Sequence, residues 1–394
     1  MNIFTKTVHA GDRKKAGPQI PVTTPITMAS SYFYESMEEL DGMFEDPAAG
    51  FSYSRYDNPT NAAVEELITA LENGAGALAC ASGMAALHAA IQTALLDRPK
   101  RIVAASALYG ATLSLLNKVL EPFGVETTYV DICDLTAVER AIGEVKPGCV
   151  LMETISNPLL RVGDLERIAA LTSAASAALV VDNTFASPLL VRPLELGAHI
   201  VVHSATKYLA GHGDVLGGLI VTDEPHYATL RQMSRIYGPV LGPFESYLTM
   251  RGIKTFALRM ERQCTNACRI ASWLASHPAV AKVNYTGDPS HPDAPTIRRL
   301  FPEGLYGAMI SFELKDGSRE KVFAMMDRLK LIVRATSLGD VHTMMLYPAM
   351  SSHREVSPKQ RQRLGIGDGL VRLSVGIEHS GDILADLEQA LAIV

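Results

Sequence analysis

A lysine and a carboxylate that could carry out chemistry follow two neighbouring apolar runs of the sequence. Asp182 ends one run, and Lys207 follows the next, with the hydroxyl residues Ser204 and Thr206 just before it. A lysine amine attacks aldehydes once it has lost its proton, and a carboxylate stabilises a cationic nitrogen. Because ligands of open α/β sheets lie beyond the carboxyl ends of the strands, this pattern predicts a site at one sheet edge.

The start of a predicted helix is a third candidate for the same edge. Gly83 and Met84 follow the apolar segment Ala77–Cys80 and open a helical pattern. Backbone N–H groups at a helix N-terminus bind phosphate, because they have no partner inside the helix and lie at its positive end. A phosphate site made by Gly83 and Met84 is therefore expected, with help from the two hydroxyl residues before the lysine.

Together these groups suit pyridoxal 5′-phosphate. The lysine would form a Schiff base with its aldehyde, and the carboxylate would pair with its pyridine nitrogen. Each feature alone is common, since a lysine after a strand is usually solvated and an aspartate there usually caps a helix. The prediction rests on their joint occurrence at strand ends.

The elements that must position these residues alternate along the chain. Short apolar strands such as 101–105, 126–130 and 178–182 are separated by helical patterns, which predicts an α/β class with a mostly parallel sheet. We expect three parts: an arm over 1–58 with an irregular, proline-interrupted pattern, a large α/β domain over 59–245, and a smaller α+β domain over 246–394. The last part begins with a single predicted helix over 246–273.

Composition narrows the class further. The 394 residues carry a formal net charge of −6 and are 47% hydrophobic, which is ordinary for a globular protein and gives no basic excess for nucleic acid. No apolar run approaches the roughly 20 residues of a membrane span, and the first residues do not resemble a signal peptide. Five scattered cysteines favour reduced thiols and a cytoplasmic enzyme. No metal is expected, and Cys264 and Cys268 are interpreted as packing residues.

Several longer motifs carry a resemblance to a known family. They are TVHAG (7–11), YSRYDNPT, ETISNP, VVDNTF, HSATKYLAGHGDVLGG and VRLSVGIE. In these motifs the chain resembles the Cys/Met-metabolism branch of the pyridoxal-phosphate enzymes, the family of cystathionine γ-synthase, cystathionine γ-lyase and methionine γ-lyase. The resemblance covers essentially the whole chain. It implies a fold-type-I pyridoxal-phosphate enzyme that forms a homotetramer of two active dimers.

The resemblance also implies roles for individual residues. Lys207 would be the Schiff-base lysine and proton shuttle, Asp182 would pair with the pyridine nitrogen, and Tyr109 would stack on the ring and assist proton transfer. The phosphate would be held by Gly83, Met84, Ser204 and Thr206, and by Tyr53 and Arg55 of a neighbouring subunit, while the substrate carboxylate would be bound by Asn157, Ser337 and Arg372. The planar fork of an arginine side chain suits such a carboxylate.

Other positions bear on the substrate. Relatives that act on cystathionine carry a Glu just before the SLGG-like motif and often a second Glu just before YSR. This chain has Thr336 and Ser52 at these two positions. The absence of these acids disfavours a substrate with a distal ammonium group. Asp340 and Thr343, in SLGDVHT, are similar to methionine γ-lyases.

Some signals conflict with that subfamily. Ala111 stands where methionine γ-lyases usually have a cysteine, and the segment 153–158 is more similar to the cystathionine enzymes. Further departures stand at Ser234, Arg235, His342 and Tyr347. For His342, a loop histidine held by hydrogen bonds is favoured over a base that faces the ligand.

The sequence thus predicts a C–S lyase that converts methionine or homocysteine to 2-oxobutyrate, ammonia and a thiol by α,γ-elimination. The alternatives are a cystathionine γ-lyase or γ-synthase, and an O-acetylhomoserine sulfhydrylase that replaces the γ-substituent. A non-catalytic pyridoxal-phosphate-binding protein is a further alternative, against which the intact Lys207, Asp182, Tyr109 and Arg372 argue.

Overall fold

A computed structural model describes residues 1–14, 18–46, 50–351, 354, 361 and 365–393. It is a mixed α/β structure with a large and a small sheet, which confirms the predicted fold class. None of the helices in these ranges is both long and apolar enough to cross a membrane.

The N-terminal segment contains helices on both sides of its prolines. They are α1 (Ile3–His9) and α2 (Met37–Glu45), capped by the side chains of Asn2 and Ser36. The irregular pattern around the prolines therefore does not extend over the whole segment, because capping residues begin a helix wherever proline does not prevent it. Between these helices the chain is irregular and leaves apolar side chains such as Phe33 exposed.

The large sheet positions the candidate site residues. Its strands are β1 (Gly76–Cys80), β2 (Arg101–Ala105), β3 (Glu126–Val130), β4 (Cys149–Glu153), β5 (Ala178–Asp182), β6 (Ile200–Ser204) and β7 (Gly218–Thr222). Among the described residues the strand order is β1-β7-β6-β5-β4-β2-β3, and all pairs are parallel except those of β7. The pairs Glu153↔Asp182 and Asp182↔Val202 bring the carboxyl ends of β4, β5 and β6 to one edge.

Helices cover both faces of this sheet, so its strands are buried apolar runs. They are α3 (Pro59–Glu72), α4 (Gly83–Leu95), α5 (Gly110–Ser114), α6 (Leu135–Val145), α7 (Leu165–Ala174), α8 (Ser187–Leu190) and α9 (Glu224–Tyr237). Helix α5 continues as a π-helix, Leu115–Leu120, and then a 3₁₀ turn, Glu121–Phe123. The wider turn places Leu115, Leu116 and Leu120 together in the core.

Two helices, not one, leave the large sheet. They are α10 (Pro243–Ile253) and α11 (Phe256–Ser276), so the single helix expected over 246–273 was wrong. Near the break, Gly252 lies so close to Ala210 that a Cβ atom would sit 2.2 Å from the Ala210 carbonyl oxygen. Arg259 of α11 donates to the carbonyl oxygens of Tyr208 (2.9 Å) and Leu209 (3.0 Å). The junction thereby holds the turn that follows Lys207.

The smaller sheet contains β8 (Val280–Asn284), β9 (Met309–Leu314), β10 (Val333–Arg334), β11 (Met344–Leu346) and β12 (Leu370–Ser374). In the described part of the chain its order is β10-β11-β12-β9-β8, antiparallel except for β10 with β11. The remaining helices are α12 (Ala294–Leu300), α13 (Arg319–Arg328) and α14 (Ser380–Leu391). A second core, which includes Phe312, Leu373 and Leu387, lies against this sheet. The three predicted domain ranges stay predictions.

Candidate active site

A cleft of about 480 Å³ opens at the carboxyl edge of the large sheet. The predicted site residues that line it are Gly83, Met84, Tyr109, Asn157, Asp182, Ser204, Thr206, Lys207 and Arg372. Strand ends and helix starts deliver most of them, as the sequence pattern predicts, and β12 of the smaller sheet delivers Arg372. The cleft therefore lies between the two sheets.

Lys207 lies in the turn after β6 and is partly buried. Its Nζ donates to the hydroxyl oxygen of Ser337 at 2.9 Å, so Ser337 belongs to the same cluster. Burial, aided by the positive charge of Arg372, lowers the pKa of Lys207 to about 8. An amine with this pKa sheds its proton much more readily than a solvated lysine, as a nucleophile or base requires.

Asp182 ends β5 beneath the cleft. Its Oδ1 accepts a hydrogen bond from the Thr184 backbone N–H at 3.0 Å. Burial raises the pKa of Asp182, while the bonds from Thr184 and the nearby His203 oppose the rise. A buried carboxylate of this kind gains from a cationic partner, because the partner offsets the cost of desolvation.

The start of α4 packs against the end of β6. A Cβ atom on Gly83 would lie 2.8 Å from the Ser204 Cβ, so glycine allows the helix start to approach the cleft. The Ser82 hydroxyl caps the helix by accepting from Ala85 N–H at 3.1 Å. These contacts leave a helix N-terminus directed at the cleft, as anion binding requires. The Thr206 hydroxyl donates to the Gly217 carbonyl oxygen and accepts from the Gly217 N–H. This predicted phosphate ligand is therefore already hydrogen-bonded within the protein.

Arg372 is fully enclosed beside Lys207. It donates to Asn157 Oδ1 at 2.9 Å and to the Ser337 carbonyl oxygen at 3.3 Å, and its charge lies 5.9 Å from the Phe185 ring centroid. Its Nε has no hydrogen-bond partner among the described residues, and burial lowers its pKa to about 10. A buried guanidinium with spare donors favours an anionic ligand.

Glu153 and Thr184 are among the residues of the site that sequence reasoning missed. Glu153 ends β4 and lines the cleft, and burial together with the neighbouring Asp182 raises its pKa to about 8. Thr184 also lines the cleft, and its hydroxyl accepts from the Ser204 backbone N–H at 2.8 Å. The rule that selects Asp182, a polar residue at the end of a strand, could also have found Glu153.

Tyr53 and Arg55 do not reach the cleft of their own chain. Both are exposed, and the Arg55 guanidinium lies 4.8 Å from the Tyr56 ring centroid and donates to the Arg235 carbonyl oxygen at the end of α9. Their exposure is compatible with the expected contact to another subunit.

The positions singled out for substrate choice fall in two places. Thr336 lines the cleft, together with Ser351, which the sequence did not single out. His342 is hydrogen-bonded to Asp340, with 2.9 Å between His342 Nδ1 and Asp340 Oδ1. The His342 side chain does not line the cleft. Tyr347 is buried and donates to the Asp368 carbonyl oxygen at 2.7 Å. Hydrogen bonds within the chain therefore hold His342 and Tyr347 in place.

Comparison with known proteins assigns the family. The family model for the Cys/Met metabolism PLP-dependent enzyme matches residues 4–392. The chain belongs to this family. Its cofactor is therefore pyridoxal 5′-phosphate, which confirms the cofactor and the resemblance inferred from the sequence. The donor set of the cleft fits this group: a buried carboxyl, a desolvated lysine, a helix N-terminus and an arginine with a spare donor.

Individual relatives carry different names at similar identity. The chain is 42% identical to an L-methionine gamma-lyase of Fusobacterium nucleatum subsp. nucleatum over 98% of this chain and 97% of the relative. It is also 42% identical to a cystathionine gamma-lyase of Bacillus subtilis over 97% and 96%. The crystal structure of a cystathionine gamma-lyase from Lactobacillus plantarum complexed with L-serine superposes with a TM-score of 0.91 at 40% identity, covering 100% of this chain and 99% of that one. Overall identity therefore leaves the exact reaction open.

The buried state of Lys207 has a measurable consequence in the cofactor-free protein. Its pKa is about 8 in the folded chain against 10.5 for a lysine in water, so between these pH values the unfolded chain binds more protons and wild-type stability rises with pH. Lys207→Met removes this dependence. At pH 7 we expect the variant to exceed the wild type in free energy of unfolding by about 1 kcal/mol or more.

Urea denaturation at about pH 7 and about pH 10 measures this difference. We expect it to shrink at the higher pH, where the folded wild type no longer carries a buried charge. The exposed Lys282→Met reports any general effect of replacing a lysine. A difference for Lys207→Met that is the same at both pH values would contradict the assignment.

Proposed function

We propose that the chain is a C–S lyase that cleaves methionine or homocysteine by α,γ-elimination. The overall reaction takes up one water and releases 2-oxobutyrate, ammonia and a thiol. The observation that carries the proposal is the composition of one part of the cleft lining, to which Thr336, Leu338, Leu346 and Ser351 contribute hydroxyl and apolar groups. Among the described lining residues, the acids are Glu153 and Asp182, both at strand ends.

This wall suits a short uncharged side chain. A thioether or thiol can be covered by methyl and methylene groups without a charged partner. A distal ammonium group, as in cystathionine, would be buried without a carboxylate opposite it. The 42% identity to a named methionine gamma-lyase also supports the proposal.

The residues of the cleft would have separate roles in binding and proton transfer. Arg372 and Asn157 would bind the substrate carboxylate, and the helix start at Gly83 and Met84 would bind the cofactor phosphate. When bound, the cofactor supplies an electron sink that stabilises negative charge on the carbon next to the amino group. Lys207 Nζ, with its pKa lowered to about 8, would take the Cα proton from the substrate.

Two more residues support the proton transfer. Ser337 accepts a hydrogen bond from Lys207 Nζ and thereby holds the amine beside Arg372. Tyr109 would cover the cofactor ring on its open side and assist the movement of protons. A β-proton would then pass to a base of the cleft, and the γ C–S bond would break as the sulfur takes up a proton and leaves as a thiol.

Measuring products from a panel of substrates tests the reaction. Purified holoenzyme is given methionine, homocysteine, cystathionine, or O-acetylhomoserine with sulfide, and 2-oxobutyrate and thioether products are followed. We expect 2-oxobutyrate from methionine or homocysteine at least tenfold faster than from cystathionine, the ratio that roughly 1.4 kcal/mol of selectivity gives.

The variant Thr336→Glu is the matched comparison for this panel. An acid at this lining position should raise kcat/KM for cystathionine relative to methionine, because it gives the distal ammonium a partner. Fast 2-oxobutyrate release from cystathionine with none from methionine would contradict the proposal in favour of a cystathionine γ-lyase. Thioether formation from O-acetylhomoserine and sulfide without elimination would favour a sulfhydrylase.

We also propose that the active unit is a dimer within a homotetramer. Tyr53 and Arg55 lie outside the cleft of their own chain on an exposed face, beside apolar side chains of the N-terminal segment that are 70% and 89% exposed at Met28 and Phe33. A second copy packed on this segment would bury these side chains and bring the arginine to the neighbouring phosphate.

Mixing two impaired variants, at a cofactor concentration at which Arg55→Ala alone is inactive, tests the shared site. Arg55→Ala should weaken cofactor retention at the partner's site, and Lys207→Ala should abolish turnover. In mixed dimers one site receives both changes and the other receives neither. Equal amounts after subunit exchange should therefore restore about a quarter of wild-type activity, as random pairing predicts. Failure to restore activity, with exchange demonstrated by a tag on one variant, would count against the shared site.

A further inference from the structure

Glu153 lies in the cleft, but the proposed reaction gives it no role. It ends β4 directly opposite Asp182 at the end of β5, and both side chains line the cleft. Glu153 is 7% exposed, although carboxylates are almost never buried without partners. Its partners therefore indicate what it does.

The two carboxyl oxygens of Glu153 hold two different loops. Oε1 accepts a hydrogen bond from the Tyr109 backbone N–H at 2.6 Å, and Oε2 accepts one from the Asn157 backbone N–H at 3.2 Å. Tyr109 stands at the start of α5, after β2, whereas Asn157 stands in the segment that follows β4. One side chain thereby fixes two walls of the cleft relative to each other.

Each loop carries a different part of the site. Asn157 accepts from Arg372 through its side chain at 2.9 Å, so the position of its backbone also sets the position of that guanidinium. Tyr109 also lines the cleft. A change at Glu153 would therefore be felt at the carboxylate-binding arginine and at the residue expected over the cofactor ring.

We propose that Glu153 is a positioning residue of the active site, whose two carboxyl oxygens hold the Tyr109 wall and the Asn157–Arg372 wall in register. The inference rests on the proposed roles of these residues in cofactor and amino-acid binding. It does not depend on which sulfur amino acid is cleaved.

The charge state of Glu153 makes a clean test available. The charged groups that face it are Asp182 on β5 and Arg372 on β12, and burial with the repulsion of Asp182 raises the pKa of Glu153 to about 8. This upward shift favours the neutral form of the carboxyl. Glutamine matches this neutral group in size and charge, but its –NH₂ cannot accept a hydrogen bond, whereas both oxygens of a carboxyl can.

In Glu153→Gln, one backbone donor must lose its acceptor. The shorter bond to Tyr109 N–H should keep the amide oxygen, so that the –NH₂ faces Asn157 N–H. We expect the dissociation constant of glycine, measured on the holoenzyme through the visible absorption of the cofactor, to rise about tenfold, as one unsatisfied buried donor predicts. The cofactor dissociation constant should stay within about threefold of wild type.

Glu153→Ala removes both acceptors, so both dissociation constants should rise at least tenfold. Glycine serves as the probe because it carries the α-amino and α-carboxyl groups without a side chain. A failure of methionine cleavage therefore leaves this test intact, and the two proposals can fail separately. Where Glu153→Ala does not fold, Glu153→Gln decides alone.

Asp386→Asn is the matched control. Asp386 is also buried, and its carboxyl accepts from the backbone N–H groups of Lys330, Leu331 and Ile332 at 2.8 to 2.9 Å, but it lies in α14, outside the set that lines the cleft. This variant should lower the Tm while both dissociation constants stay within about twofold. Glycine affinity within threefold of wild type in Glu153→Gln, or an equal change in Asp386→Asn, would overturn the proposal.

Discussion

Burial of ionisable side chains at one sheet edge is the constraint on which the rest of the structure depends. Lys207, Arg372, Asp182 and Glu153 all line one cleft, and burial shifts the pKa of each towards its neutral form. Such groups are tolerated only where hydrogen bonds and opposite charges offset desolvation. Three features contribute to that setting. Arg259 holds the turn after Lys207, Gly83 allows α4 to approach β6, and Arg372 of β12 donates to Asn157.

The same constraint favours binding of a charged cofactor and substrate. Arg372 has a donor without a partner among the described residues, and Asp182 is a buried carboxyl below the cleft. A ligand with a cationic ring nitrogen, a phosphate and a carboxylate supplies the missing partners. Binding of such a ligand stabilises the folded state.

Apolar runs in the sequence predicted the strands that carry the site residues. The strands that end at Asp182 and precede Lys207 follow from short apolar runs, and their shared edge follows from parallel pairing. The break between α10 and α11 could not be predicted, since it depends on a contact of Gly252 with Ala210, distant in sequence. The strand-end rule could have found Glu153, but not its role, because that role comes from backbone partners in two loops, which no single motif contains.

Covalent trapping of the cofactor tests the central claim most directly. Holoenzyme is reduced with borohydride, digested and mapped by mass spectrometry for the peptide that carries the pyridoxyl group. The account predicts one modified peptide, with the modification on Lys207, and loss of that signal in Lys207→Ala. Modification of a different lysine in the wild type would contradict the assignment of the cleft as the active site.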